Sequence, residues 1–230
     1  MVWKEEYLDL ILVPSGLLIM FGYHLFLLYR CLKLPHTTAI GCENHYRNAW
    51  VERMLQVEIK ERSSCLTVIS STISAATFFA STSLALSSLI GALFGSTSNN
   101  VFESSFIYGN TSPSIMSVKY VSLLFFFMVA FASFLQCIRS LVLANFLISM
   151  PNSTMPVDYA QKALIRGSAF WSVGIRAIYF ATTLLVWIFG PIPMFISSVS
   201  MVVILHILDT NSTPLHQFQP AKGPLPILEL

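Results

Sequence analysis

Serine and threonine make up about half of the stretch from Ser63 to Ser88, which is otherwise apolar. At about 100° of rotation per helical residue, many of these hydroxyls fall within an arc of roughly 80°. The members of this hydroxyl stripe are Ser63, Thr67, Ser70, Ser74, Thr77, Ser81 and Ser88. Hydroxyl oxygens can solvate a passing ion without trapping it, as ion conduction requires.

The sequence leaves three interpretations of the hydroxyl stripe open. Small residues could let helices of one bundle pack closely, with the hydroxyls bonded across helices or to their own carbonyls. Copies of the helix could instead surround an axis so that the stripe lines a water-filled pore, or the stripe could line the substrate cavity of a transporter. Its length favours a pore, whereas the further hydroxyls outside the arc argue against one.

Three more residues are pore-mouth candidates. Glu52 and Gln56 roughly continue the stripe if its helix extends back into the preceding segment, and Glu103 lies in the loop after it. An acidic residue near each mouth favours cations, calcium among them.

The run Trp187-Ile-Phe-Gly-Pro-Ile-Pro193 predicts a helix break at Gly190, Pro191 and Pro193, because two prolines remove two backbone donors. A broken helix can expose backbone groups to an ion or substrate, while a plain kink is the commoner outcome.

Few ionisable residues fall inside apolar runs. Lys119 and Arg139 bracket a span-length interval, so we expect both to be interfacial anchors whose charges reach the headgroups. His24, beside Tyr23, is predicted to be a hydrogen-bonded packing residue rather than a proton relay. This scarcity of buried charge counts against a proton-coupled pump.

No zinc-protease, dithiol, phosphate-loop or nucleophile-elbow motif occurs, so we predict no enzymatic activity and no cofactor. The spacing of His36, Cys42, Glu43 and His45 matches no metal-ligand pattern, so no metal site is predicted. The formal net charge of +2 gives no support for a nucleic-acid partner.

The composition indicates the environment that these residues occupy. Apolar residues make up 55% of the chain and charged residues 10%, with a mean hydropathy of +0.69, whereas soluble domains carry roughly 25% charged residues. An integral membrane protein in a lipid bilayer is therefore predicted. Four apolar runs are each long enough for a membrane helix, which needs about 20 residues. They cover residues 8–29, 65–94, 118–147 and 177–208.

The predicted fold is all-α, with a four-span membrane domain over residues 1–208 and a proline-rich, mobile tail over 209–230. Two further segments, 44–62 and 156–176, are amphipathic and are predicted to be cytosolic helices. Such helices lie on the membrane surface or pack against another subunit.

Basic residues predict the orientation of the spans. Ten Lys and Arg residues lie on the side that spans one and three reach, against only Lys4, Lys119 and Lys222 on the other side. Both termini are therefore predicted to be non-cytosolic. The predicted membrane is that of the endoplasmic reticulum or the plasma membrane. Glycosylation triplets at Asn110 and Asn211 agree with this orientation.

Three motifs carry a family resemblance. Residues 3–14 (WKEEYLDLILVP), 23–30 (YHLFLLYR) and 187–191 (WIFGP) resemble the plant and bacterial membrane family called domain of unknown function 599. The resemblance implies a plant-like protein with four spans and supplies no activity or functional residue. By size and class alone, the chain is also similar to a small plant defence ion channel.

We therefore predict a homo-oligomeric channel, permeable to cations, whose pore is lined by the second span. The alternatives are a non-conducting membrane scaffold that recruits partners through its amphipathic helices, or a small-solute transporter.

Overall fold

The computed structural model describes residues 5–58, 62–96, 112–150, 156–216 and 218, and the regular elements of the described part are all helices, with no strand. The six α-helices are α1 Glu5–Lys33, α2 Ala39–Gln56, α3 Ser63–Ser96, α4 Pro113–Ser149, α5 Val157–Val186 and α6 Pro191–Asp209. Short 3-10 turns at Pro35–Thr37 and Trp187–Phe189 precede α2 and α6.

Five of the six described helices, all except α2, are long and apolar enough to cross a membrane. The first three predicted spans lie within α1, α3 and α4. The predicted fourth span, residues 177–208, is wrong as a single helix because the chain reverses direction inside it. Gly190 has φ 142°, a backbone angle that L side chains rarely adopt, and Pro191 begins the next helix. Residues 177–186 therefore complete α5, and α6 runs back beside it.

Helices α3, α4 and α5 form an antiparallel layer that supplies most of the apolar core. Glycines on α5 make room for large side chains of α4. A Cβ atom on Gly174 would lie 2.8 Å from the ring of Phe134, and one on Gly167 would lie 2.7 Å from Leu141. Phe134 also stacks on Phe79 of α3, with ring centroids 5.4 Å apart. Small residues on one helix thus allow close approach of its neighbour.

Helix α6 lies parallel to α1. Trp187, just before α6, bonds to Asp9, Ser198 faces Gly16, and Asp209 bonds to Tyr23. We call the end that holds Asp9, Lys119 and Trp187 the Trp187 end, and the opposite end the α2 end.

The first residues of α1 and the residues after α6 lie at opposite ends of the bundle, contrary to the prediction that both termini share one side. Asn211 donates from its backbone to the Thr37 carbonyl, and Thr210 pairs with Thr38 at the start of α2. The Asn211 triplet therefore lies at the α2 end, away from the side predicted for it.

The two segments predicted to be amphipathic cytosolic helices are not two separate helices with exposed apolar faces in the structure. Segment 44–62 contributes to α2, which packs into the bundle: Val51 is fully buried, and Arg47 hydrogen-bonds to Ser168 of α5. Segment 156–176 is not a separate helix, since it forms the first part of α5. The α2 apolar face is thus covered by the same chain.

The contact of α1 with α6 gives a matched test of this fold. A Cβ atom on Gly16 would lie 3.0 Å from the Ser198 hydroxyl, whereas one on Gly22 of the same helix would meet nothing within 4 Å. We expect Gly16→Leu to destabilise the protein by about 1–3 kcal/mol through overpacking. Gly22→Leu should change the melting temperature little. Thermal unfolding of the purified protein in detergent measures both, and equal effects would contradict the parallel packing of α1 and α6.

Candidate functional site: a hydroxyl-rich outer face and two buried polar clusters

The hydroxyl stripe lies on the outside of the described chain. Its seven members, Ser63, Thr67, Ser70, Ser74, Thr77, Ser81 and Ser88, are all exposed. The buried face of α3 points the other way and packs mainly against α4, with Ile69, Ala76, Ala80 and Ile90 among its residues. The stripe therefore does not serve helix packing within the described chain.

The side of α3 that carries the stripe is built from small residues along its whole length. At about 100° per residue, Ala85, Ala92 and Gly95 continue the same face after the hydroxyls, and all three are exposed. No large side chain interrupts this face between residues 63 and 95.

The hydroxyls of α3 bond to their own helix. Thr67 donates to the carbonyl of Ser63, Ser74 to that of Ser70, and Thr77 to that of Ile73, at 2.9–3.0 Å. Such bonds from Ser and Thr to the preceding turn satisfy the hydroxyl proton locally. Each oxygen keeps acceptor capacity, since a hydroxyl has one donor and two lone pairs. The outer face of α3 thus presents oxygen acceptors.

The pore-mouth candidates do not continue the stripe. Helix α2 ends at Gln56, Val57 is extended, and α3 runs back antiparallel to α2. Glu52 and Gln56 are exposed on α2. Glu103 lies outside the described residues.

The helix-break residues form the reversal between α5 and α6, at the Trp187 end rather than in the middle of a span. Gly190 and Pro191 are buried there, and Pro193 is exposed. The Gly190 N–H donates to the Trp187 carbonyl at 3.1 Å, so the backbone at this turn is used to close it.

A buried cluster at the Trp187 end corrects the interpretation of Lys119 as a headgroup anchor. Lys119 is 1% exposed, and its Nζ lies 5.4 Å from the ring centroid of Trp187. The indole Nε1 of Trp187 donates to Asp9 Oδ1 at 2.7 Å. Lys119 Nζ has no hydrogen-bond acceptor among the described residues. A cation over an aromatic face is stabilised by the ring quadrupole, so Trp187 connects the two charges.

A second cluster joins α1, α5 and α6 around Asp209. Arg176 Nη2 donates to Asp209 Oδ1 at 2.7 Å, and the Tyr23 hydroxyl donates to Oδ2 at 2.7 Å. The Arg176 and Asp209 side chains are only 17% and 12% exposed. His24 bonds through Nδ1 to the Met20 carbonyl at 2.7 Å, which agrees with the predicted packing role.

Sequence reasoning missed the Asp209 cluster because it treated residues 177–208 as one span. Arg176 and Asp209 were then placed at opposite ends of a helix, and Arg176 was counted with the cytosolic basic residues. The available signal was the dipeptide Gly190-Pro191, since Gly-Pro marks turns as well as kinks.

In the described residues no group of three or more His, Cys, Asp or Glu side chains could hold a metal ion.

Residues 11–214 match the family described as "Protein of unknown function, DUF599", which confirms the family resemblance. No curated protein and no solved structure matches the chain. The similarity to a plant defence channel therefore has no support beyond size and class.

The buried ion pair predicts a distinctive pattern of stability. Asp209→Leu should cost about 3–5 kcal/mol, because it leaves the Arg176 charge buried without its partner. Combining it with Arg176→Met should recover most of that loss, because a buried pair replaced by apolar residues is often neutral. Tyr23→Phe should cost about 1.5–3 kcal/mol, because the lost hydrogen bond is made to a charged group. Melting temperatures of these variants and of Arg176→Met alone, in detergent, provide the test, and losses in the double variant that equal the sum of the two single losses would contradict the pairing.

Proposed function

The chain belongs to the DUF599 family, whose function is unknown, and from the outward-facing hydroxyl stripe we propose that it forms a homo-oligomeric, cation-permeable channel lined by α3. The observation that carries this proposal is the exposure of all seven stripe residues. A ring of identical subunits would bring the stripes together around one axis, which a single chain does not do.

The preference for cations is supported by the direction of the hydroxyl protons. Because Thr67, Ser74 and Thr77 donate to carbonyls of α3, their oxygens remain available as acceptors on the exposed face. Oxygen acceptors replace the hydration shell of a cation, and no basic residue lies on the stripe. Calcium is the proposed physiological ion, moving from a lumen or the exterior to the cytosol.

The α2 end is the proposed cytosolic side. The basic residues Arg30, Lys33, Arg47, Arg53 and Arg62 lie at or near this end, and connections rich in Lys and Arg remain in the cytosol. The chain after α6 would then be cytosolic and the start of α1 non-cytosolic. The proposed membrane is the endoplasmic reticulum or the plasma membrane.

The scaffold alternative is weakened by the packing of α2. Trp50, Val51, Met54 and Leu55 contact the core of the same chain, so the apolar face that would recruit a partner is occupied.

A small-solute transporter is a second candidate, favoured by the two buried charged clusters. They lie near the two ends of the α1–α6 pair within one chain, and a cavity of 180 Å³ lies beside Arg176 and Asp209. Ionisable groups buried in a membrane bundle often mark a substrate path. A transporter of this kind would work as a monomer.

The channel predicts that enlarging the stripe blocks conduction. In planar bilayers containing the purified full chain, Ser74→Leu and Thr77→Leu should lower cation conductance by about tenfold or more, because hydrophobic constrictions exclude water. Ser71→Leu is the matched control, because Ser71 is exposed on the same helix outside the stripe and also bonds to its own backbone. Its conductance should stay near that of the wild type.

Two results would contradict the channel. One is a monomer by mass measurement in detergent and in nanodiscs, since the stripe would then lack copies to face. The other is an equal current from wild type, Ser71→Leu and Thr77→Leu. Solute uptake by liposomes containing a monomeric chain, abolished by Asp209→Asn, would favour the transporter.

A further inference from the structure

A cavity of 360 Å³ lies between α2, α3, α4 and α5 and takes no part in the proposed pore. Small-molecule sites measure about 300–1,000 Å³ and are mostly apolar, with a few convergent polar groups. Ile69, Leu141 and Leu164 form part of the apolar wall, and Trp50 and Trp171 add aromatic surface. The cavity therefore has the size and lining of a ligand site.

Arg47 and Ser168 form the polar part of this cavity. Arg47 Nη1 donates to the Ser168 hydroxyl and also lies 3.1 Å from Glu43. Both contacts involve Nη1, so Nε and Nη2 of Arg47 have no partner within the part of the chain that the structure describes. The Glu43 side chain is 60% exposed, and exposed ion pairs contribute little. A guanidinium with unused donors in a fixed fork is suited to a carboxylate or phosphate.

The position of the cavity along the bundle relates it to the bilayer. From Trp187 to Ser168 along α5 is about 28 Å at 1.5 Å per residue, close to the hydrocarbon thickness of about 30 Å. Taking Trp187 as one boundary of the hydrocarbon layer, Arg47 and Ser168 stand at the headgroups of the other side, and Trp171 lies one turn nearer the membrane centre. Val68, in the α3 wall, is 56% exposed, so the cavity reaches the outer surface of the bundle.

We propose that this cavity binds an anionic amphiphile, with its charged group on Arg47 and Ser168 and an acyl chain along Ile69, Leu141 and Trp171. A water-soluble anion would leave the apolar wall in contact with water, and a neutral lipid would leave the Arg47 donors unused. The shared chemistry is one negative group joined to an acyl chain. Its source is an anionic phospholipid of the membrane or a free fatty acid. This site does not depend on the channel proposal.

Native mass spectrometry of the full chain in detergent tests the chemistry of the ligand. The probes are dioleoyl phosphatidylglycerol, dioleoyl phosphatidylcholine, oleate and glycerol 3-phosphate. We expect the phosphatidylglycerol or oleate to bind at least about tenfold more tightly than the zwitterionic lipid, since hydrogen bonds to charged groups are the strong ones. Glycerol 3-phosphate should not bind. The tighter of the two anionic amphiphiles identifies the source.

Two matched pairs of variants test the location. Arg47→Gln should remove the preference for the anionic probes, whereas Arg53→Gln, on the same helix but over the Phe218 ring, should keep it. Thr72→Trp should exclude the acyl chain because Thr72 lines the cavity. Ser71→Trp is its control: both hydroxyls donate to the Val68 carbonyl, at 3.0 Å for Thr72 and 2.8 Å for Ser71, but Ser71 faces outward.

Binding of phosphatidylcholine as tightly as both phosphatidylglycerol and oleate would overturn the proposal, as would binding of glycerol 3-phosphate alone. Identical behaviour of Arg47→Gln and Arg53→Gln would also overturn it. If Thr72→Trp does not fold, as judged by its melting temperature, the arginine pair decides the location, because neither arginine is buried.

Discussion

The reversal of the chain at Gly190 and Pro191 determines which polar groups of the bundle meet. In one continuous helix, Arg176 and Asp209 would lie about 50 Å apart at 1.5 Å per residue, whereas the reversal brings their charged groups to 2.7 Å. The same turn makes α6 parallel to α1, so that Trp187 reaches Asp9 and residues 210–216 return towards α2. Glycine adopts this backbone angle more easily than other residues. The turn at Gly190 therefore divides the last apolar run between two helices, so that the described chain has five long apolar helices, whereas a plain kink would leave four.

The α3 hydroxyls and the Arg176–Asp209 pair find their polar partners by two different routes. The hydroxyls of α3 bond to carbonyls of their own helix, so they need no neighbour and can lie on an outer face. The charges of Arg176 and Asp209 cannot be satisfied within one helix, because desolvation of an isolated ion costs several kcal/mol. They therefore require helices from distant parts of the sequence and tie α1, α5 and α6 together.

The sequence alone predicts those features that depend on one helix at a time. The spans in α1, α3 and α4 follow from apolar runs longer than the bilayer, and the clustering of the stripe on one side of α3 follows from the helical period. Features that depend on a partner were missed. Lys119 looks like an interfacial anchor until Trp187 is placed beside it. The amphipathic pattern of α2 is compatible with the membrane surface or with another subunit, because an apolar face does not reveal what covers it, and the structure covers it with the same chain.

The packing of α3, mainly against α4, leaves the hydroxyl stripe on an outer face of the described chain. Helix α3 is held mainly by α4, and the arc of the stripe contains only Ser, Thr, Ala and Gly between residues 63 and 95. An arc that only contacted lipid would be as well served by large apolar residues, which are exposed on α4 at Phe125 and on α3 itself at Phe78, beside the arc. Small residues are instead needed where helices or ions approach closely. Among the described residues no other helix covers this side, so packing within the chain does not account for its composition.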